Sequence, residues 1–537
     1  MFFDKAMNSI VWIFFISNFI FHSSAYFLNG RSNHGVGEPY IPRTGYQIVL
    51  PEDQYFEQKL DHFDPTNEDT WLQRYWRNPQ YYKNGGPAFL MINGEATASP
   101  KWSVTGQWVS YAKTLNAIGF SLEHRFYGRS RPKNDTSAEN LVYLSSEQAL
   151  ADIAYFIRGV TKQYALPKDI KWIVFGGSYA GSLAAWARLK YPYLIHGAVS
   201  SSGPLLAKVD FAEYFQVVKS SLDSYNSKCS NKIAMANQKL DTLVKTDAGR
   251  EQAANLFQLC GKLENNPDDI SSFFAGLADN FAGVVQYNRD NRESETKSIT
   301  IETLCNIMTL PVRNTSALVL YAEVNKFMLK SYNLTCLDHS YKNYIDSLKK
   351  IDYESAAEVD RQWIYQTCTE FGFYQSSSNA SDIFGPHFPA EFYTKQCEQI
   401  FGKKYDEKLL NNAVYRTNTI YGELKINVGN IVFVHGSVDP WHALGITHVQ
   451  DEDAPYETIF IKGTAHCADM YPSSDEDTQE LKEARSKIQT ILQSWLQKGK
   501  PKPKKFEVQI EYKYAPNSPF KMDPKFLYDV QERLPVD

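Results

Sequence analysis

The sequence lacks the patterns that accompany several common classes of protein function. It has no glycine-rich loop ending in Lys-Ser or Lys-Thr, so nothing predicts a nucleotide ligand. Its histidines, cysteines and carboxylates show no metal-ligand spacing, so neither a metal nor another cofactor is expected. With 56 basic and 61 acidic side chains in 537 residues, the net charge is −5, which disfavours a nucleic-acid partner. Beyond the N-terminus no apolar run is long enough to cross a bilayer, which argues against stable membrane insertion.

The N-terminus carries the one pronounced apolar segment. Lys5 precedes a run over 10–21, and Ser23-Ser24-Ala25 follow it. A short apolar run followed by small residues is typical of a cleaved signal peptide, whereas a membrane anchor would need a longer run. We therefore expect cleavage near Ala25 and a mature protein of the secretory pathway, either extracellular or in a lysosomal or vesicular compartment.

Cysteines and glycosylation motifs agree with such a compartment. Six of the 7 cysteines lie in one central stretch, which favours disulfides but leaves their pairing open: Cys229, Cys260, Cys305, Cys336, Cys368 and Cys397. Asn-x-Ser/Thr motifs make four asparagines candidate glycosylation sites: Asn134, Asn314, Asn333 and Asn379. We expect the seventh cysteine, Cys467, to be a buried packing residue.

The most informative motif is Gly176-Gly177-Ser178-Tyr179-Ala180. An apolar, strand-like stretch over 172–175 precedes it, and a helix-like stretch over 182–189 follows it. A serine on a sharp strand-to-helix turn projects its hydroxyl above a sheet, and small neighbours allow the chain to turn that tightly. The motif therefore predicts Ser178 as a nucleophile.

A nucleophilic serine needs a base, and the base needs an acceptor that fixes its tautomer. Asp439 follows a predicted strand over 430–434, and His466 follows another over 458–461. The order Ser, Asp, His is that of α/β-hydrolases. Taken alone, Asp439 would fit an ordinary Asp-Pro turn and His466 a surface or core histidine, so the predicted triad depends on the joint pattern.

The distribution of strand and helix patterns predicts the fold. Strand patterns over 87–93, 119–122 and 195–200 alternate with helical stretches, which favours a parallel sheet. From about 205 to 425 long amphipathic stretches dominate instead. We therefore predict an α/β-hydrolase fold with a large, mostly helical, disulfide-bonded cap inserted in the sheet domain. The predicted organisation is a signal peptide (1–25), an N-terminal extension (26–50), the first part of the hydrolase domain (51–204), the cap (205–425), the second part of the hydrolase domain (426–497) and a C-terminal tail (498–537).

Several motifs resemble the serine peptidase family of lysosomal Pro-Xaa carboxypeptidase and dipeptidyl-peptidase II. They are QKLDHF at 58–63, QRYW at 73–76, EHRFYG at 123–128, GGSYAG at 176–181 and DPWHALG at 439–445. A further motif, CTEFGFYQ at 368–375, looks most like the thymus-specific serine protease branch of that family. The resemblance spans roughly 51–495, and its one noted departure is His435, where relatives often have asparagine.

The resemblance implies a serine peptidase, exopeptidase-like and cleaving peptide substrates after proline, with Ser178, Asp439 and His466 at the triad positions. It also implies the disulfides Cys229–Cys305, Cys260–Cys336 and Cys368–Cys397. Trp441, beside the predicted acid, is a candidate wall of a proline pocket, although ordinary core packing explains it equally well.

The predicted reaction also needs N–H donors for an oxyanion. The backbone of Tyr179 would supply one, and the loop around Gly94-Glu95 would supply the second. Two alternatives remain from the sequence: an esterase or lipase on the same fold, and a catalytically inactive binding protein. The sequence also leaves open which chain end is recognised and whether the protein forms a homodimer.

Overall fold

A mostly parallel sheet forms the centre of the chain in the computed structural model, which describes residues 36–41, 49–289, 298–311, 315–355, 358–378, 383–449 and 453–497 and the backbone of 27–28 and 31–32. In chain order the strands are β1 (Phe27–Leu28), β2 (Arg31–Ser32), β3 (Gln54–Lys59), β4 (Thr70–Asn78), β5 (Ala88–Ile92), β6 (Ile118–Leu122), β7 (Trp172–Gly177), β8 (Ile195–Ser201), β9 (Lys208–Asp210), β10 (Gly372–Tyr374), β11 (Ile431–Gly436) and β12 (Glu457–Ile461). The predicted signal peptide, Asn314, Asn379 and the C-terminal tail lie outside the described residues.

Eight of these strands form the main sheet, in the spatial order β3-β4-β6-β5-β7-β8-β11-β12. β4 runs antiparallel to its neighbours β3 and β6, and the other neighbouring pairs are parallel. The central strands β5, β6 and β7 are buried along their whole length, as expected for parallel strands covered on both faces.

The helices are α1 (Gln107–Leu115), α2 (Ser146–Gln163), α3 (Tyr179–Lys190), α4 (Glu213–Leu243), α5 (Asp247–Phe257), α6 (Pro267–Gln286), α7 (Ile301–Met308), α8 (Ala317–Ser331), α9 (Tyr341–Leu348), α10 (Glu358–Gln366), α11 (Ala390–Phe401), α12 (Glu407–Tyr421) and α13 (Gln479–Gln497). A π-helical turn, Thr367–Phe371, directly follows α10.

Helices cover both faces of the main sheet because successive side chains of a strand point in opposite directions. On β7, Ile173 and Phe175 pack in a core that includes Trp108 of α1 and Trp495 of α13. Val174, between them, packs in the opposite core, which includes α2, α3 and the helices that follow β8. The sheet is therefore buried between two apolar layers.

The chain from β8 to β11 forms the cap. Its described residues contain α4 to α12 and the short parallel pair of β9 and β10, and they add no strand to the main sheet. Three disulfides join parts of the cap to one another: Cys229–Cys305, Cys260–Cys336 and Cys368–Cys397. This is the pairing that the family resemblance implies. The predicted fold class, an α/β-hydrolase with a helical, disulfide-bonded cap, is confirmed, and the exact domain limits stay predictions.

None of the helices in the described part of the chain is both long and apolar enough to cross a bilayer.

Candidate active site

Ser178 occupies the turn between β7 and α3 in a strained backbone conformation. Its φ is 59° and its ψ is −133°, a region that residues other than glycine rarely adopt and that typically costs about 1–3 kcal/mol. The two preceding glycines make the turn possible: a Cβ at Gly176 would lie 2.0 Å from the carbonyl oxygen of Ala180, and one at Gly177 would lie 2.2 Å from Sδ of Met470. The structure thus places Ser178 on the sharp turn that the sequence predicts.

Asp439 and His466 lie together beyond the ends of neighbouring strands. Asp439 follows β11, His466 follows β12, and these two strands are parallel neighbours. Nδ1 of His466 is 2.9 Å from Oδ1 of Asp439. The same carboxylate oxygen accepts the backbone N–H of Trp441 at 3.0 Å. Both side chains are almost fully buried, at 1% and 0% exposure for His466 and Asp439, so their interaction is shielded from water.

The protonation of this pair follows from their opposite charges. Burial by itself would raise the pKa of Asp439, but the charge and hydrogen bond of His466, together with smaller effects of other neighbours, outweigh burial, and the pKa lies below its ordinary value. Burial would lower the pKa of His466, but the Asp439 carboxylate holds that pKa well above the ordinary histidine value. The carboxylate can therefore stabilise a positive charge on the imidazole, as a general base requires once it has taken a proton.

The end of β8 connects Ser178 with the segment that carries His466. The backbone N–H of Ser178 donates to the carbonyl oxygen of Ser201 at 2.9 Å. The backbone N–H of Cys467, next to His466, donates to Oγ of Ser202 at 2.9 Å. The three predicted triad residues are therefore brought to one edge of the sheet.

Nε2 of His466, the nitrogen that would face the nucleophile, has no hydrogen-bond partner among the described residues. The hydrogen bond between Ser178 and His466 is accordingly not formed in this structure. In unliganded enzymes the hydrogen bonds of the catalytic groups are often long and tighten only when substrate binds.

A small cleft opens beside Ser178. Six aromatic side chains line it: Tyr179, Tyr287, Trp363, Phe373, Tyr374 and Trp441. Two of them also flank the imidazole of His466, with ring centroids 6.0 Å away for Tyr287 and 6.4 Å away for Trp441. Tyr287 and Trp441 therefore line the cleft beside Ser178 and also flank His466. The aromatic surface of the cleft suits an apolar substrate group.

Trp441 is both a packed core residue and a wall of the cleft. Its indole N–H donates to Oε1 of Gln286 at 3.1 Å, and its ring lies against Phe211 and Phe373 with centroids 5.4 and 5.6 Å away. The residue is therefore packed in the core, at 7% exposure, and it also contributes one wall of the cleft.

The cap supplies the walls that sequence reasoning missed. Tyr287, Trp363, Phe373 and Tyr374 all belong to the inserted segment. Phe373 and Tyr374 lie within the CTEFGFYQ motif that carries the family resemblance, and that motif was the sequence signal that could have identified them. Tyr287 directly follows α6 and Trp363 belongs to α10, and the sequences of these helices show no local mark of a binding site. The carbonyl oxygen of Gln286, at the end of α6, accepts the backbone N–H of His466 at 2.9 Å, so this part of the cap also contacts the segment that carries the proposed base.

The loop proposed to complete the oxyanion site lies beside the nucleophile turn. A Cβ at Gly94 would be 3.3 Å from the backbone nitrogen of Ala180. Glu95 lines the same cleft as Ser178 and is buried, at 5% exposure. Tyr179 is the first residue of α3. The backbone of this loop and of the α3 N-terminus therefore converge near Ser178.

The remaining predicted residues lie apart from the cleft or beside the triad. Asn134 and Asn333 are exposed, as glycosylation requires. Cys467 is a buried free cysteine. His435 is buried next to the acid, and burial lowers its pKa to about 4, so the ring is neutral. Within the part of the chain that the structure covers, no group of three or more histidine, cysteine or carboxylate side chains is arranged to hold a metal ion.

Comparisons with known proteins identify a family and several relatives of this chain. Residues 58–488 match the model of a family described as serine carboxypeptidase S28. Putative serine protease K12H4.7 of Caenorhabditis elegans is 38% identical, over 82% of this chain and 87% of its own length. The human thymus-specific serine protease is 34% identical over 86% and 90%, and the human lysosomal Pro-X carboxypeptidase is 28% identical over 82% and 88%.

Proposed function

This chain belongs to the serine carboxypeptidase S28 family and is a serine-type peptidase, and from that premise we propose that it is an exopeptidase-like enzyme of the secretory pathway that cleaves peptides after proline. The observation that carries the proposal is the strained turn at Ser178, which opens into the aromatic cleft beside the buried pair of His466 and Asp439.

The proposed reaction begins with proton transfer from the nucleophile. Oγ of Ser178 attacks the scissile carbonyl carbon while Nε2 of His466 takes the hydroxyl proton. Nδ1–H of the same imidazole donates to Asp439, which fixes the tautomer and stabilises the imidazolium that forms. His466 then gives the proton to the leaving amine, which leaves an acyl-enzyme at Ser178, and water releases the acyl group in the reverse sequence.

The negative charge of the tetrahedral intermediate needs preorganised donors. We assign one to the backbone N–H of Tyr179 and the second to the backbone at Gly94-Glu95, because both lie at the nucleophile turn. Removing one such donor typically lowers kcat by about 10²–10³-fold.

The preference for proline is supported by the cleft and by one relative. A pyrrolidine ring is compact and apolar, and aromatic walls such as Trp441, Phe373 and Trp363 offer flat apolar surface to such a ring. The relative named lysosomal Pro-X carboxypeptidase matches 82% of this chain.

The three disulfides and the lysosomal relative also support the proposed location. Disulfides persist in oxidising compartments and are rare in the cytosol. We therefore place the protein in the secretory pathway, extracellular or in a lysosomal or vesicular compartment.

The test combines labelling with a digest. Purified mature protein is treated with a fluorophosphonate probe, next to a Ser178→Ala variant, and is then incubated with a peptide library whose cut positions are determined by mass spectrometry. We expect labelling that depends on Ser178 and cuts that follow proline near one chain end. Hydrolysis of a p-nitrophenyl ester without cleavage of any prolyl peptide would favour the esterase alternative, and absence of labelling would favour an inactive binding protein.

A further inference from the structure

The side chain of Tyr179, the residue after the proposed nucleophile, is held by hydrogen bonds on both sides. Nε2 of Gln366 donates to its hydroxyl at 3.0 Å, and Nε2 of His124 lies 3.1 Å from the same oxygen. Nδ1 of His124 is 2.8 Å from the carbonyl oxygen of Arg125, so Nδ1 carries the proton and Nε2 of the neutral ring accepts. The Tyr179 hydroxyl therefore accepts from Gln366 and donates to His124, and its orientation is fixed.

Gln366 is itself fixed by its other contacts. The hydroxyl of Tyr127 donates to Oε1 of Gln366 at 2.6 Å, so the oxygen of the amide faces Tyr127 and the nitrogen faces Tyr179. Its Nε2 also lies 3.5 Å from Oε1 of Glu370. The side chain is fully buried, at 0% exposure, so these contacts do not exchange with water.

Glu370 connects this group to the start of α2. Its carboxylate accepts the backbone N–H of Ser146 at 2.9 and 3.0 Å and also accepts the Ser146 hydroxyl. Glu370 belongs to the π-helical turn, an irregular helix type that is frequent at functional sites. A continuous hydrogen-bonded chain therefore runs from α2 through Glu370 and Gln366, both from the cap, to Tyr179.

This hydrogen-bonded chain ends at Tyr179, directly after the strained residue Ser178. The conformation of Ser178 persists only where its surroundings hold it. Tyr179 follows directly, and its ring lies against those of Phe371 and Trp363, with centroids 5.3 and 5.8 Å away. The contacts that fix the Tyr179 side chain therefore also fix the backbone of Ser178 and Tyr179, which carries the nucleophile and the proposed oxyanion donor.

We infer that Gln366 is a positioning residue for peptide hydrolysis: through the hydroxyl of Tyr179 it keeps Oγ of Ser178 and the backbone N–H of Tyr179 in their reactive placement. The inference rests on the proposed function, because it assumes that Ser178 is the nucleophile. It assigns to the cap a part in the chemical step in addition to its part in forming the cleft.

The test compares Gln366 with a matched glutamine of the same helix. Gln362 lies one turn earlier on α10, is equally buried, and donates from Nε2 to the carbonyl oxygen of Phe126 at 2.9 Å. Gln362 makes no hydrogen bond to Tyr179 among the described contacts. Gln366→Met and Gln362→Met each remove one buried amide, and they differ in their contact with the nucleophile turn. Because Gln366 also accepts from Tyr127, the Tm of each variant is measured first and kcat is compared at a temperature at which both are folded.

We expect Gln366→Met to lower kcat on a prolyl peptide by about 10–10²-fold, a part of the 10²–10³-fold loss typical of a missing oxyanion donor, with KM changed less than about threefold. The rate of fluorophosphonate labelling should fall in the same proportion. Gln362→Met should retain kcat within about threefold. Equal losses in the two variants would show that Gln366 only supports folding, which would overturn the inference.

A second variant keeps the test valid if Gln366→Met does not fold. Tyr179→Phe removes one oxygen and leaves the ring in place, and it should lower kcat to a similar degree. The double variant should be no worse than the more affected single variant, because both changes break the same contact. Full kcat in Tyr179→Phe, or additive losses, would overturn the inference. An unreactive wild-type protein would overturn the proposed function as well, whereas an active wild type with normal Gln366→Met would overturn this inference alone.

Discussion

The buried carboxyl group of Glu370 should contribute more to the stability of the protein in weak acid than in weak base. Burial raises the pKa of Glu370 from its ordinary 4.5 to about 7, and the hydrogen bonds from Ser146 offset only part of that effect. Because the folded state binds this proton more tightly than the unfolded state, the stabilisation is fully present below pH 4.5 and is lost as the pH rises to about 7. A shift of this size, at 1.36 kcal/mol per pKa unit, corresponds to roughly 3 kcal/mol.

Glu370→Gln is the direct test, since glutamine resembles the protonated acid in shape and charge. The wild-type protein should lose most of this contribution between pH 5 and pH 8, and the variant should not. For a chain of 537 residues, an unfolding entropy of about 2 cal/mol/K per residue converts 1 kcal/mol into roughly 1 °C of Tm. We therefore expect the difference in Tm between pH 5 and pH 8 to be about 3 °C smaller in the variant than in the wild type.

The assay is a series of thermal scans at fixed rate, with Glu147→Gln as the control. Glu147 lies in the first turn of α2 and pairs with Arg416 at the surface, and its charge contributes only slightly to the raised pKa of Glu370, so its replacement should change the pH dependence of Tm far less than Glu370→Gln does. Asp469, whose pKa burial raises to about 6, contributes in the same direction in all three proteins and cancels in the comparison. If Glu370→Gln keeps the full wild-type difference between pH 5 and pH 8, the reasoning about the buried carboxyl is refuted.

Three further predictions concern the proposed triad and its turn. Asp439→Asn should lower kcat by about 10⁴-fold, because the imidazole loses both the correct tautomer and its counter-charge; a loss below tenfold in a steady-state assay would contradict the assignment. Since Asp439 raises the pKa of His466 and the neutral imidazole is the active form, the labelling rate of Ser178 should rise with pH through a value above that of an ordinary histidine, and Asp439→Asn should move this limb to lower pH. Gly176→Ala should lower Tm by several degrees and abolish labelling, because its Cβ would lie 2.0 Å from a backbone oxygen that cannot move aside; a fully active variant would show that the turn is less constrained than described.

The sequence predicted the parts of the site that have local signals. Ser178 lies in a motif with small residues at fixed offsets, and Asp439 and His466 each follow an apolar run of strand length. The fold class could be predicted for the same reason, since alternating strand and helix patterns indicate a parallel sheet. Their catalytic roles remain proposals, and the pairing of His466 with Asp439 is the geometric observation that supports them.

The features that could not be predicted are those that depend on long-range packing. Trp363 and Tyr287 reach the cleft only because the cap folds over the sheet, and nothing in their neighbouring sequence marks them. Gln366 looks like an ordinary polar residue of a helix, and although Glu370 lies within the CTEFGFYQ motif, the part that both play follows from burial against α2 and α3. Burial of a polar side chain is a property of the tertiary structure, so periodicity could not reveal it.

The position of the cap between β8 and β11 has a consequence for biosynthesis. These two strands are neighbours in the sheet, yet the ribosome completes the entire cap before it makes the second of them. A nascent chain that ends within the cap holds Ser178 but neither Asp439 nor His466, while all six disulfide-forming cysteines precede β11. The cysteines of the cap are thus synthesised before the proposed acid and base, so under the proposed function a chain that ends within the cap lacks two of the three groups that hydrolysis needs.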